Sequence, residues 1–161
     1  MSKKKLYEPV GLSIEVGVGS GRFASALGVV YGVDTSSALL RKAKEMGVKV
    51  VKARTEALPF KDDVFQSLLM VVSLCFFDKP AEALLEARRV LRKDGMLLLG
   101  LVLSDSPWAR FYQQKAQQGH PLYSVARFYS FEEIKGMLSQ AGFRLSGVAI
   151  TFFAHHKTQR R

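Results

Sequence analysis

The run Ile14-Glu15-Val16-Gly17-Val18-Gly19-Ser20-Gly21-Arg22-Phe23-Ala24 constrains this chain more than any other segment. An alternating apolar stretch (Leu12, Ile14, Val16) leads into three glycines at every second position. That order predicts a strand at about 12–17, a tight turn and a helix at about 21–27. Glycine is needed where the backbone takes conformations that a Cβ resists and where it lies close to a ligand. The dinucleotide fingerprint Gly-x-Gly-x-x-Gly requires its third glycine at position 22, where Arg22 stands. The pyrophosphate reading is therefore weakened, and a Walker loop is excluded because no Gly-Lys-Ser/Thr follows. The structural alternative is a turn that only joins a buried strand to a helix.

Strands and helices alternate along the rest of the chain, as in a parallel sheet covered on both faces. Val29 to Val33 reads as strand two, ending at Asp34; Thr35 or Ser36 caps the next helix and Gly47 ends it. Val48 to Lys52 is strand three, and Phe65 to Leu74 is a nearly continuous apolar run expected of a central strand. A helix starts near Pro80 with help from Asp78, and its buried stripe is Ala83, Leu84, Ala87, Val90 and Leu91. Asp94-Gly95 then turns the chain into a strand at 96–103, expected to be buried on both faces. Ser130 and Glu133 form a capping box for a helix that Gly142 ends, and 143–153 reads as a last strand. The predicted architecture is a three-layer α/β Rossmann-like doubly wound sheet, mostly parallel, in the order 3-2-1-4-5 plus that last strand.

The spacing Glu15-x-Gly17-x-Gly19-x-Gly21 resembles the first motif of class I S-adenosylmethionine-dependent methyltransferases. Thr55-Glu56-Ala57-Leu58-Pro59-Phe60-Lys61-Asp62-Asp63-Val64-Phe65 is similar to a segment of the ubiquinone/menaquinone-biosynthesis type, the methyltransferase type 11 domain. Glu86 to Gly95 matches the same family's helix and turn before strand five, so the resemblance covers roughly residues 12 to 103. It implies S-adenosylmethionine as cofactor and S-adenosylhomocysteine as product. It implies Gly17, Val18 and Gly19 against the cofactor, Glu15 near the methionyl amine, and Ser73 and Leu74 near the transferring methyl. A single carboxylate suits a ligand carrying an ammonium and a sulfonium, and it would repel a phosphate.

Asp34 and Thr35 close strand two beside the glycine turn, where a carboxylate accepts both ribose hydroxyls. The bland role for Asp34 is to cap the following helix. Relatives often carry an aspartate at the place of Arg54 to accept from the adenine amino group. Its absence shifts adenine recognition to the Thr55 N–H, with Glu56 as substitute acceptor.

With 161 residues, 48% apolar and 24% charged, the chain is expected to be a single soluble domain, 1–161. The apolar run at 64–77 is too short to span a bilayer, and no signal peptide precedes strand one. Cys75 is the only cysteine, which suits a reducing cytoplasm. A net charge of +10 raises the idea of nucleic acid as partner. However, Lys3, Lys4, Lys5, Lys157, Arg160 and Arg161 lie at the two ends, and no aromatic platform accompanies the internal clusters. RNA methylation is thus a third reading, behind methyl transfer to a small-molecule acceptor and behind a cofactor-binding module with lost or partner-dependent catalysis.

Residues 104–129 form the expected lid and substrate region, with Trp108, Phe111 and Tyr112 on one side of a short helix. Asp105, Tyr112 and His120 are the weak candidates there for a catalytic group, together with Tyr123 and Arg127 as polar neighbours of an acceptor. None has a partner fixed by spacing, so the general base is unknown. His155 and His156 make no case for a metal. Relatives carry more chain before strand one and an extra antiparallel strand at the far end. Their lack here predicts an exposed sheet edge and a homodimer that covers it.

Overall fold

The structure, a computed structural model, describes residues 11–150. Five strands, β1 (Ser13–Val16), β2 (Tyr31–Asp34), β3 (Lys49–Lys52), β4 (Phe65–Val71) and β5 (Leu91–Gly100), form one sheet in the order β3-β2-β1-β4-β5. Every neighbouring pair is parallel. The crossovers carry α1 (Arg22–Leu27), α2 (Ser37–Glu45) and α3 (Pro80–Val90); α4 (Pro107–Gln117) and α5 (Phe131–Gln140) follow β5. The expected fold class and strand order are therefore present.

Burial explains the order. All four residues of β1 are buried, and β4 is buried at five of its seven positions, so these two strands sit centrally. Alternate residues feed two cores. Ile14, Val16, Leu68 and Met70 join Leu84, Ala87, Ile134 and Leu138 on the α3/α5 face. Leu69 points the other way and meets Val18, Ala24, Leu40 and Ala43 under α1 and α2. Ser36, rather than Thr35, caps α2 by accepting from the Leu39 N–H, and Ser130 Oγ accepts from the Glu133 N–H at the start of α5. Pro80 does open α3, but the cap position is Lys79 and no side chain caps it, so Asp78 does not play the expected part.

Two expectations are corrected at the far edge. β5 begins at Leu91, directly after α3, and ends at Gly100. Phe65 pairs with Leu91 and Ser67 with Met96, so four residues on β5 face the single residue Gln66 on β4. The Asp94-Gly95 turn is thus a bulge inside the strand, pinned by Gln66 Nε2 donating to the Asp94 carbonyl at 3.1 Å. Nor is β5 buried on both faces: Met96 is exposed and 97–100 are half-buried. Among the described residues no strand pairs with its outer edge. Residues 143–150 of the expected last strand carry no strand structure, and Leu145, Val148 and Ile150 are exposed. A period-two pattern makes a strand only where a ladder partner accepts it. Residues 151–153 of that segment, and His155 and His156, lie outside the described residues.

Candidate functional site

Parallel strands bring their carboxyl ends to one side of the sheet, so the turns after β1, β2 and β4 gather there. Each glycine of the first turn has its own reason. A Cβ on Gly17 would lie 2.5 Å from the Ser73 Cβ, and one on Gly21 would lie 2.9 Å from the Ala43 backbone. Gly32 on β2 does the same for Val18, whose buried side chain lies over it. Gly19 differs. With φ +55 it takes a left-handed conformation, and a Cβ there would meet nothing within 4 Å. Its missing side chain opens onto free space.

Three successive donors of the turn are occupied within the protein. The Gly17 and Val18 N–H groups both donate to the Val33 carbonyl, at 2.8 and 2.9 Å, and the Gly19 N–H donates to Asp34 Oδ2 at 2.9 Å. A phosphate cradle needs such groups free and pointing outward. The turn is therefore no anion nest, in agreement with the missing glycine at position 22.

Asp34 combines the two roles weighed for it. One carboxylate oxygen holds Gly19 and the other accepts from the Ser36 N–H at 3.0 Å, which steadies the start of α2. Each oxygen keeps a lone pair for an incoming hydroxyl. Thr35, beside it, is exposed.

Glu15 occupies an unusual position. It is 1% exposed, beneath α1, and the Ala24 N–H is hydrogen-bonded to its carboxyl. Its Oε2 is buried with no hydrogen-bond partner. Burial pushes the carboxyl up to about 8, and the Ala24 N–H only partly opposes this. At neutral pH Glu15 carries its proton, so the free carboxylate expected at the strand end is a neutral acid until a cation arrives.

Thr55 is buried after β3, and Glu56 is half-buried with its carboxylate 3.6 Å from the exposed Arg54 Nε. Ser73 is packed against Gly17 and donates to the Val16 carbonyl at 3.1 Å. Leu74 is 1% exposed and its side chain belongs to the core. Val72, just before them, holds φ +50, rare for a β-branched residue, and its N–H reaches the Gly100 carbonyl at 2.8 Å. That bend turns the chain off β4 toward Gly17.

The three catalytic candidates do not form one group. Tyr112 stacks between Tyr123 (ring centroids 4.6 Å apart) and Phe128 (6.0 Å), and His120 lies against the same Tyr123 at 4.5 Å. Burial, with Tyr123 and Cys75 nearby, holds the Tyr112 phenol above its usual range. Asp105 is exposed in the turn before α4.

Two groups carry no local signal that marks them. Arg89 on α3 grips the Leu58–Asp62 loop, bonding the Leu58 and Phe60 carbonyls, Asp62 and Glu86. Tyr129, buried after the lid, has its backbone carbonyl bound to the Ser104 N–H. Both act across long sequence separations, which spacing rules do not reach.

The arrangement fits an adenosyl cofactor: open space over Gly19, a dihydroxyl acceptor in Asp34, and an unpaired buried acid in Glu15. Comparison with known proteins agrees, since residues 14–99 match the family described as a methyltransferase domain. The chain belongs to the class I S-adenosylmethionine-dependent methyltransferases. Within that family it is 41% identical to a solved structure from Thermotoga maritima described as an S-adenosylmethionine-dependent methyltransferase, possible histamine N-methyltransferase. The TM-score is 0.80, over 85% of this chain and 66% of that one. It is 42% identical over 132 residues to an uncharacterised protein of Mycobacterium tuberculosis, covering 82% of this chain and 46% of that protein. It is also 29% identical over 150 residues to the malonyl-acyl-carrier-protein O-methyltransferase of Geobacter sulfurreducens, covering 81% and 55%. This methyltransferase chain thus spans about half the length of the curated relatives it matches. No helix among its described residues is long and apolar enough to cross a membrane.

Proposed function

We propose that the chain transfers the methyl group of S-adenosylmethionine to a small-molecule acceptor by in-line displacement. The observation that carries this reading is Gly19, left-handed and facing open space, with its N–H on Asp34. In this reading the ribose hydroxyls bind Asp34, the methionyl ammonium approaches the unpaired oxygen of Glu15, and the adenine ring meets the Thr55 N–H and Glu56. Ser73 and the backbone of Leu74 lie beneath the methyl. The family likeness supports these assignments, and the Thr55–Phe65 segment supports kinship with the ubiquinone/menaquinone branch.

The sulfonium supplies the leaving group, and the protein's part is to hold nucleophile, methyl carbon and sulfur in line. Orientation of this kind contributes on the order of 7 kcal/mol or more in well-aligned systems. No general base is assigned. The Thermotoga maritima protein's description supports an amine as acceptor class.

Calorimetry with S-adenosylmethionine and with S-adenosylhomocysteine tests the reading, and both are expected to bind. Asp34→Ala should weaken binding by about 1–3 kcal/mol, the scale of lost charge-assisted hydrogen bonds. Gly19→Ala should abolish binding in a folded protein, because its methyl fills the open space, at a strain of roughly 1–2 kcal/mol from the left-handed backbone. If neither ligand binds, the reading fails. Binding with no transfer to any acceptor of a metabolite panel would favour a cofactor-binding module.

A further inference from the structure

Glu15 has a hydrogen-bonding need that the protein itself leaves unmet. It stands two residues before Gly17 on the central strand, with Gly32 of β2 and Leu69 of β4 as its register partners on either side. Val18 lies over Gly32, and Leu69 is fully buried, so the carboxyl's flanks are apolar. Next to it is the first turn of α1, whose cap residue Gly21 makes no side-chain cap. Glu15 fills that part from the strand by bonding the Ala24 N–H. One oxygen is thus tied into the fold, and Oε2 is buried with no partner. Such an atom is rare in a folded protein, and it marks a place for a group that comes from outside.

Among the described residues nothing offsets a charge at this position. α1 carries only Arg22, and α2 carries Arg41, Lys42, Lys44 and Glu45, all of them exposed. β4 has no ionisable side chain. On β2, Tyr31 packs against Phe60 and Phe65, and Asp34 has its two oxygens on the Gly19 and Ser36 N–H groups. An ionised carboxylate in such a place is strongly disfavoured, so the free protein keeps Glu15 as the neutral acid. Burial pushes its carboxyl up to about 8, and no charge is among the causes.

We propose that cofactor binding is coupled to the loss of this proton: the methionyl ammonium takes the unpartnered oxygen of Glu15, and the carboxyl ionises to meet it. The inference rests on the methyltransferase reading above and adds a proton to that site's binding equilibrium. The neutral acid and the incoming ammonium become a carboxylate–ammonium pair, and the Glu15 proton passes to water. No bond of the cofactor is made or broken in this step. The partner that burial denies the carboxylate is supplied by the ligand, which favours the charged form in the complex. Affinity therefore rises with pH as long as the free protein is protonated and the complex is not. The rise ends at about 8, where the free carboxyl is already ionised.

The test is a calorimetric titration of S-adenosylhomocysteine, which carries the same ammonium, into the protein at about pH 6.5. An α-amino group ionises at about 7.7–8.0, so the ligand arrives protonated and a released proton comes from the protein. Repeating the titration in buffers of different ionisation enthalpy counts the protons, and about one should be released per ligand bound. Affinity should rise roughly tenfold from about pH 6 to about pH 7. In Glu15→Gln, which keeps an acceptor for Ala24, the ligand should bind more weakly, with no proton released and no rise across that interval. The parent also gives a readout that needs no variant. On saturation with S-adenosylhomocysteine its infrared spectrum should lose the carbonyl stretch of a protonated carboxyl and gain the stretch of a carboxylate. The proposal is overturned if the ligand binds with no proton released, or if the protonated-carboxyl band persists in the complex. Either result would mean that water meets Oε2 and the acid stays neutral. Release of the proton by Glu15→Gln, as in the parent, would overturn it too. Failure of S-adenosylhomocysteine to bind at all would instead overturn the methyltransferase reading, which the other outcomes leave standing.

Discussion

At the scale of single residues, Glu15 makes the sharpest demand on the fold. A carboxyl with one oxygen on the Ala24 N–H and the other unpaired would be better placed in water, and burial raises its pKa from 4.5 to about 8. Below 4.5 the folded and unfolded chains both hold the proton. Between 4.5 and about 8 the unfolded chain releases it and the folded chain keeps it, so the unfolded state gains and stability falls as pH rises. Above about 8 both states are ionised and the decline stops. Thermal unfolding of the parent across this window should therefore show a falling midpoint. Glu15→Gln keeps the shape and an acceptor for Ala24 and has no proton to lose, so that its share of the slope vanishes. Parallel slopes in parent and variant would mean that the carboxyl reaches solvent.

At the scale of elements, the ties that matter run between α3 and the loop that follows β3. Arg89 bonds the Leu58 carbonyl at 3.0 Å, the Phe60 carbonyl at 2.8 Å and Asp62 at 2.8 Å, while Glu86 takes the Leu58 N–H at 2.7 Å. This clamp sets Phe60 edge-on against Tyr31 and Phe65 and so fixes the stretch that carries Thr55 and Glu56. Arg89→Leu should cost about 2–3 kcal/mol, the scale of lost hydrogen bonds to charged groups, and should also loosen cofactor binding. Arg89→Lys should recover only part, because an ammonium cannot span several carbonyls at once. Hydrogen bonding from Arg89 holds the Glu86 carboxyl below its usual range, so this contribution is present at neutral pH and fades on acidification through that lowered pKa. Denaturant unfolding of the two variants at neutral and acid pH checks both points.

These elements also show what could be read in advance. The glycine turn, the opening of α3 at Pro80 and the capping of α5 by Ser130 are local events, written within three or four residues of where they act. The parallel sheet with helices on both faces followed from the alternation of strands and helices. The early start of β5 did not, because its four-residue bulge is fixed by the partner Gln66 on another strand. The burial of the Leu74 side chain was not legible either: the bend at Val72 turns the chain toward Gly17, and the 3-10 turn after it carries that side chain into the core.

At the scale of the whole molecule, the two outer edges of the sheet differ. β3 reads Lys-Val-Val-Lys, with Lys49 and Lys52 exposed at its ends. Lys49 lies 5.8 Å from the Tyr31 ring centre and Lys52 donates to Ser37 Oγ at 2.8 Å, so both stems lie along the body while their charges guard the edge. Replacing both lysines by valine would leave a four-residue apolar edge strand, and light scattering should report more association than in the parent. An unchanged particle size would mean that the edge is shielded by shape and not by charge.

The Val33 carbonyl and the Asp34 carboxylate take the Gly17, Val18 and Gly19 donors for themselves. A living cell is crowded with adenine nucleotides whose sugars and bases are those of the methyl donor. A turn with these three donors already engaged offers a phosphate less than a free nest would, so the abundant look-alikes gain little from theirs.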